Sequence, residues 1–526
     1  MSERYGLEGI AALGVACEDL NGDGRPELVV ANYREEFEYD TDSFVYWGTE
    51  DGFDASNPLR LPSHFALQVV LGDLDGDGFK EIIFSGGNRI YIYWNRGGHF
   101  RAEDVEVVET EGNSTMFAQG AVRTAVADVD GDGRNELLVA ALEGIEIRAG
   151  DELHRVRQLL PLKYSGWVEA VDLDGDGRLD LVVSRYQDGS NYETNSALIW
   201  NGPQGLGAGP ITWLPSGGAV GATAADLDGD GRPEIIFNNT MGGPSQINPD
   251  FPLYVYLGNA DNAYDPARRL ELPTGGVDGY SRERLEFHPT DASSIMITVA
   301  DLNKNGYLDL LVPAYSTRFT RELPAYIFWG NERGFDFDEP QAIPCDSSCA
   351  FLAVDISGNG YLDLLTVCHR NDLGHQVDSL LFWNGPAGLC FDQVERLPGM
   401  GPHLSSPRDF GNAYTRAPVE YYTSPVCDTK GRRPLRLNWK AEVPVKTRLK
   451  FQLRWAGNEA DLDSAPWTGP RGEGSFYEEP DAQIRGVRGA PRYLQYRAAL
   501  VSLNGCLSPR LKEVRVDFEN QEEHKA

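Results

Sequence analysis

Oxygen-bearing side chains recur along this chain at one fixed spacing. Asp172, Asp174, Asp176 and Asp180 hold positions one, three, five and nine of Asp-Leu-Asp-Gly-Asp-Gly-Arg-Leu-Asp. The pattern returns at Asp19, Asn21, Asp23 and Glu27; at Asp73, Asp75, Asp77 and Glu81; at Asp128, Asp130, Asp132 and Glu136; and at Asp226, Asp228, Asp230 and Glu234. Two further copies, Asp301, Asn303, Asn305, Asp309 and Asp355, Ser357, Asn359, Asp363, keep two carboxylates each. Oxygen donors at alternate positions, a glycine at position six for the sharp turn and a position-seven carbonyl, such as that of Arg178, make a cage for a hard cation. Six or seven flexibly held oxygens suit Ca²⁺ better than Mg²⁺, which demands a tight octahedron. Carboxylates this crowded repel one another unless a cation lies between them. The expectation is seven calcium loops, firmest in the first five copies.

The flanks show what must position these loops. Val168–Val171 precedes the fourth copy and Leu181–Val183 follows it, both short, apolar and rich in β-branched residues. No helical period appears on either side, which excludes the helix–loop–helix setting of an EF-hand. The copies fall 44 to 75 residues apart, room for one four-stranded unit each. In the first unit the strands are expected near residues 11–17, 28–31, 44–47 and 55–61. Trp47, Trp94, Trp200, Trp329 and Trp383 end the third strands and are read as packing between units.

Seven such motifs in series resemble the FG-GAP or VCBS repeat family, whose units build seven-bladed propellers with calcium loops, as in integrin α-subunit heads. The resemblance implies an all-β fold with a seven-bladed β-propeller over residues 1–400, and calcium as its metal. It implies no single function, since propellers of this kind serve adhesion, carbohydrate binding and polysaccharide cleavage. After a connector at 401–414, alternating segments such as Leu449–Trp455 and Val514–Phe518 predict a β-sandwich accessory domain over 415–526.

Composition narrows the partners. The net charge is −33 over 526 residues, and a nucleic-acid partner would need a concentrated basic face. No run of about twenty apolar residues is present, so no membrane span is expected. Met-Ser-Glu-Arg at the start holds no apolar signal core, which leaves a cytoplasmic chain or a mature extracellular domain. The calcium demand of such loops favours the extracellular or cell-surface setting.

If each first strand runs toward its calcium loop, the second-to-third and fourth-to-first connections emerge on the opposite face. The former are long at residues 32–43, 185–196, 238–252, 314–324 and 369–378. Candidate ligand-binding residues there are Arg34, Tyr186, Tyr192, Arg282, Arg321, His64 and His288, joined by Arg185, Tyr280, Arg284 and Arg370. Guanidinium groups pair bidentately with carboxylate or sulfate, so the expected ligand is a glycan, including an anionic polysaccharide, or a protein. Catalysis is the alternative. His369, His375, Tyr33, Tyr315 and Arg318 are the candidates for a polysaccharide lyase, which needs a uronate-neutralising group, a base and an acid. A hydrolase would need two spaced carboxylates. A purely structural scaffold is the third reading.

Seven cysteines leave at least one unpaired. Around Cys345, Cys349, Cys368 and His369 three readings stay open: a disulfide between Cys349 and Cys368, a Zn²⁺ site, or buried thiols. Cys427 and Cys506 could pair within the C-terminal domain, and Cys17 reads as an inert core residue.

Overall fold

The structure, a computed structural model, describes residues 12–33, 38–50, 52–111, 123–228, 230–243, 251–258, 264–272, 274, 296–317, 320–335, 340–357, 359–397, 419–444, 447–487, 489–502 and 508–519. Among them the only regular elements besides strands are two single 3-10 turns, Pro266–Arg268 and Glu459–Asp461.

Seven four-stranded antiparallel sheets form between residues 12 and 397, each taking its strands in chain order. Their first strands are Ala12–Glu18, Gln68–Gly72, Arg123–Ala127, Ser165–Val171, Ala219–Ala225, Thr298–Ala300 and Ser348–Val354. The first five lie side by side in that order, as do the last two. The fold is a β-propeller, in which each sheet buries its faces against the neighbouring sheets. Every expected calcium loop joins a first strand to a second, as between Ser165–Val171 and Asp180–Arg185.

Burial explains the sequence pattern. The second strands Glu81–Gly86 and Glu136–Ala140 are buried at every residue, so they read as unbroken apolar runs rather than as alternation. Leu138, Ala140 and Ile147 of the third sheet meet Val168, Leu181 and Val183 of the fourth, and similar clusters lie between the first and second, second and third, fourth and fifth, and sixth and seventh sheets. Each large apolar side chain buried there contributes about 1.5–3 kcal/mol. Trp47, Trp94, Trp200 and Trp329 pack at the rims of these clusters.

The end away from the metal loops is less regular. First strands bulge between Ala12 and Gly14, Ser165 and Trp167, Ala219 and Ala222, and Ser348 and Ala350. The second and third sheets keep unbroken register. Their second-to-third connections are also short, residues 87–88 and 141–144, against 33–39, 186–192, 240–252, 313–324 and 369–378 elsewhere. A bulge bends its strand and re-aims one side chain, which suits a sheet end that must receive a long loop.

By its contacts the chain divides into Met1–Asn303 with Leu308–Gly411, and Lys304–Tyr307 with Asn412–Ala526. The second unit contains two antiparallel sheets. One pairs Thr447–Ala456 with Tyr493–Ser502 along their full length; the other holds Pro434–Glu442 between Ala482–Gln483 and Arg510–Phe518. Leu437, Trp439, Phe451, Leu453 and Leu494 form a shared core, with the Trp439 and Phe451 rings 4.4 Å apart.

Candidate metal loops and ligand face

Each loop is shaped by its own side chains. In the fourth, Asp172 Oδ1 accepts from Gly175 N at 2.8 Å and Oδ2 from Gly177 N at 3.0 Å, while Asp174 accepts from Asp176 N and Asp176 from Arg178 N. The same contacts repeat around Asp19, Asp73 and Asp128. Short acidic side chains bonding to backbone two residues on are turn-formers in their own right, so the side chains that could hold an ion also shape the loop.

The ninth position does something different. Its carboxylate is buried and accepts the amide of loop position two: Leu20 N to Glu27 at 2.8 Å, Leu74 N to Glu81 at 2.6 Å, Leu173 N to Asp180 at 3.0 Å and Leu302 N to Asp309 at 2.8 Å. Burial pushes these acids up: Glu81 to about 7, Asp180 to about 6, Glu234 to about 8 and Asp309 to about 7.

Four loops bring three acidic oxygens within 4.8 Å of one another: Asp73, Asp75, Glu81; Asp128, Asp130, Glu136; Asp172, Asp174, Asp180; and Asp226, Asp228, Asp230. Glu81 Oε1 is buried there with no hydrogen-bond partner. An orphaned carboxylate oxygen inside a cluster of hard donors fits a divalent cation. The first loop gathers no such group among the described residues. Its third position is an amide, and Asn21 Nδ2 donates to Glu27 Oε1 at 3.1 Å. The sixth and seventh, with two carboxylates each, gather none either. In the third loop Arg157 lies 2.6 Å from Asp130 and 3.5 Å from Glu136, supplying part of the countercharge.

Sequence reasoning missed the asparagines that follow three of the strand-ending tryptophans. Asn95 Nδ2 donates to Leu20 O at 2.8 Å, Asn201 Nδ2 to Val129 O at 2.7 Å and Asn384 Nδ2 to Leu302 O at 2.7 Å. Each thereby clips its blade to the second residue of the preceding blade's loop. The signal was visible as Trp94-Asn95, Trp200-Asn201 and Trp383-Asn384.

On the opposite face the candidates separate into two patches. Tyr186, Val220, Cys349, Ala350 and Val367 form one cluster, with Tyr192, Met296 and Tyr315 packed against it. The Tyr186 and Tyr192 rings meet edge to face at 5.1 Å. Tyr315 stacks on His369 at 5.4 Å, His369 meets His375 at 4.6 Å, and the Arg321 guanidinium lies 4.3 Å from the Tyr315 ring. Burial raises the Tyr315 hydroxyl, opposed by Arg321. His369 itself is buried. Tyr33 falls in the other patch, against Phe65 at 4.7 Å and Tyr39 at 5.8 Å. His64 joins it, sharing a 2.6 Å hydrogen bond with Asp40. Arg34, Tyr280, Arg282, Arg284, His288 and Arg318 lie outside the described residues.

The FG-GAP-like repeat model matches residues 19–84, 73–139 and 166–237, the stretches that carry the first five loops. Residues 19–139 and 166–237 thus carry FG-GAP-like repeats. It is similar to human integrin alpha-IIb, 27% identical over 288 residues, which are 50% of this chain and 21% of that protein. It is also similar to Xenopus tropicalis cartilage acidic protein 1, 25% identical over 271 residues, 43% of this chain and 40% of that protein. The match thus spans about a fifth of the integrin and less than half of the cartilage protein. A solved structure of an Agrocybe aegerita lectin covers 73% of this chain and 94% of its own, with 16% identity and a TM-score of 0.40, too low to carry function across.

The cysteines correct one expectation. Cys345, Cys349, Cys368 and His369 form no metal-binding group among the described residues, so the Zn²⁺ site is not supported. The bulge at Cys349 is the reason. Ser348, not Cys349, stands opposite Cys368, and Cys349 turns into the cluster with Tyr186 while Cys345 and Cys368 share another. A hydrogen bond with Cys368 keeps the Cys345 thiol protonated, and burial pushes Cys349 up. All six described cysteines are free, so Cys349 and Cys368 form no disulfide; Cys506, and with it the pairing with Cys427, lies outside the described residues. Among the described residues no helix is long and apolar enough to cross a membrane.

Proposed function

We propose that this chain is an extracellular propeller, stabilised by calcium, that binds a glycan or protein ligand on the face opposite its metal loops. The observation that carries the reading is the convergence of Tyr186, Tyr192, Tyr315, His369, His375 and Arg321, from three separate sheets, onto one aromatic and cationic patch. Aromatic faces with an arginine edge suit sugar rings and acidic groups alike. Residues 1–400 would form a closed seven-bladed ring, 401–414 a connector and 415–526 an accessory β-sandwich.

Binding to a glycan array and to acidic peptides, measured for wild type, Tyr315→Ala and Arg321→Ala, tests the site. Each variant is expected to lose at least about tenfold in affinity, as truncated anchors at interface centres do. Unchanged binding in both would place the ligand elsewhere.

The stacking of Tyr315 on His369, with His375 and Arg321 beside them, supports a second reading, elimination on an acidic polysaccharide. Arg321 would neutralise the uronate carboxylate, a histidine would take the C5 proton and the tyrosine would protonate the leaving oxygen. Ultraviolet absorbance from unsaturated ends, followed over a panel of uronate polymers, decides this. A flat trace removes it.

A further inference from the structure

The second and third loops offer a cation the same donors: Asp73, Asp75, Asp77 and Glu81 in one, Asp128, Asp130, Asp132 and Glu136 in the other. Their ninth-position glutamates are held alike, Glu81 Oε2 accepting from Leu74 N at 2.6 Å and Glu136 Oε2 from Val129 N at 3.0 Å. The remaining oxygen is where the loops part. Glu81 Oε1 is buried without a partner, whereas Glu136 Oε1 accepts from Arg157 Nη1 at 3.5 Å. The same nitrogen lies 2.6 Å from Asp130 Oδ2, so one guanidinium spans two of the three acids that meet in the third loop. In the second loop Arg96 comes within 3.3 Å of Asp75 but also holds Asp104 at 3.1 Å, and Glu81 has no ion pair among the described residues.

The chain path puts Arg157 there. It ends the connection from the third strand of its sheet, Ile145–Ala149, to the fourth, Gln158–Leu160, and its amide donates to Ile147 O at 2.9 Å. The backbone is thereby anchored while the side chain stays half-exposed. The residue before the fourth strand is Pro58 in the first sheet, Asp104 in the second and Ile211 in the fourth. The fifth sheet has Arg269 at that place, which turns to Glu271 at 2.6 Å instead. A cavity of about 360 Å³ adjoins Arg157, lined by Leu74 and Asp75 of the second loop and by Asp151 and Glu152. A displaced arginine side chain has room there.

We propose that Arg157 is a resident competitor for the metal of the third loop, so that this loop fills at higher calcium than the second. The proposal rests on the calcium reading above. Asp130 and Glu136 supply oxygens that an ion needs, and a divalent cation arriving between them must move another cation aside. Apparent affinity falls in proportion to the fraction of time the loop stands open. With the guanidinium in place, the crowded carboxylates keep part of their charge balance without metal. The third loop would thus answer to changes in calcium at levels where its neighbour is already full.

Crystals of the full chain soaked at graded calcium concentrations give occupancy loop by loop. In wild type the third loop should half-fill at a concentration about fivefold or more above the second, the lower range of such couplings. Arg157→Leu should close that gap, and Arg157→Lys, which keeps the charge but loses the fork, should preserve part of it. Thermal melting gives a second readout. In chelator Arg157→Leu should melt below wild type, having lost the countercharge, and it should gain more from saturating calcium. Equal filling of the two loops in wild type, or a gap unchanged in Arg157→Leu, would overturn the proposal. Calcium in neither loop would remove the calcium reading itself, and the proposal with it.

Discussion

Asn201 spends both amide hydrogens on carbonyls of different blades, Val129 O of the third and Leu179 O of the fourth, at 2.7 and 3.1 Å. Truncating it would leave two buried acceptors unmatched. Asn201→Ala is expected to cost about 2–4 kcal/mol, at about 1–3 for each unsatisfied group. Urea unfolding should show a lower midpoint with an unchanged slope, and a loss below about 0.5 kcal/mol, the range of an ordinary surface change, would refute the clip. The role was hard to read from sequence because an asparagine after a strand is equally a turn residue. The ninth-position acids were legible as ligands, since type and spacing suffice for that. Their second duty as buried acceptors for the loop amide depends on a three-dimensional closeness that spacing does not express.

Among elements, the strand–loop–strand units were legible throughout because period, turn chemistry and loop residues agree locally. The bulged ends were not. One inserted residue shifts every later side chain to the other face, so Ser348 rather than Cys349 stands opposite Cys368 and the expected cysteine pairing failed at a single position. Tyr33 was grouped with Tyr315 and His369 but packs against Phe65 and Tyr39 instead. In the second sheet the approach of backbone to backbone is itself a constraint. A Cβ on Gly86 would lie 1.7 Å from Phe65 O. Gly86→Ala is therefore expected to destabilise by about 1–3 kcal/mol as the strand is forced away, measured by guanidinium unfolding. A neutral result would show that the two segments separate freely.

For the molecule as a whole, a bound cation would compete with protons for the same buried oxygens. Glu81, Asp180, Glu234 and Asp309 bind protons more tightly when folded than their ordinary values of 4.5 or 3.8 allow. Their contribution is fully present below about pH 4 and is lost as pH rises through 6 to 8. The chelated protein should therefore melt at lower temperature at pH 8 than at pH 5. Calcium should restore the Tm at pH 8 more than at pH 5, by binding only the folded carboxylates. A chelated chain that gains stability with rising pH, or no response to calcium at either pH, would contradict the metal assignment. The asparagine clips carry one more consequence. At three joints the same side-chain atom meets the same carbonyl position of the preceding loop at 2.7–2.8 Å. Joints built to one pattern are interchangeable, so a duplicated unit would arrive with its fastening already made.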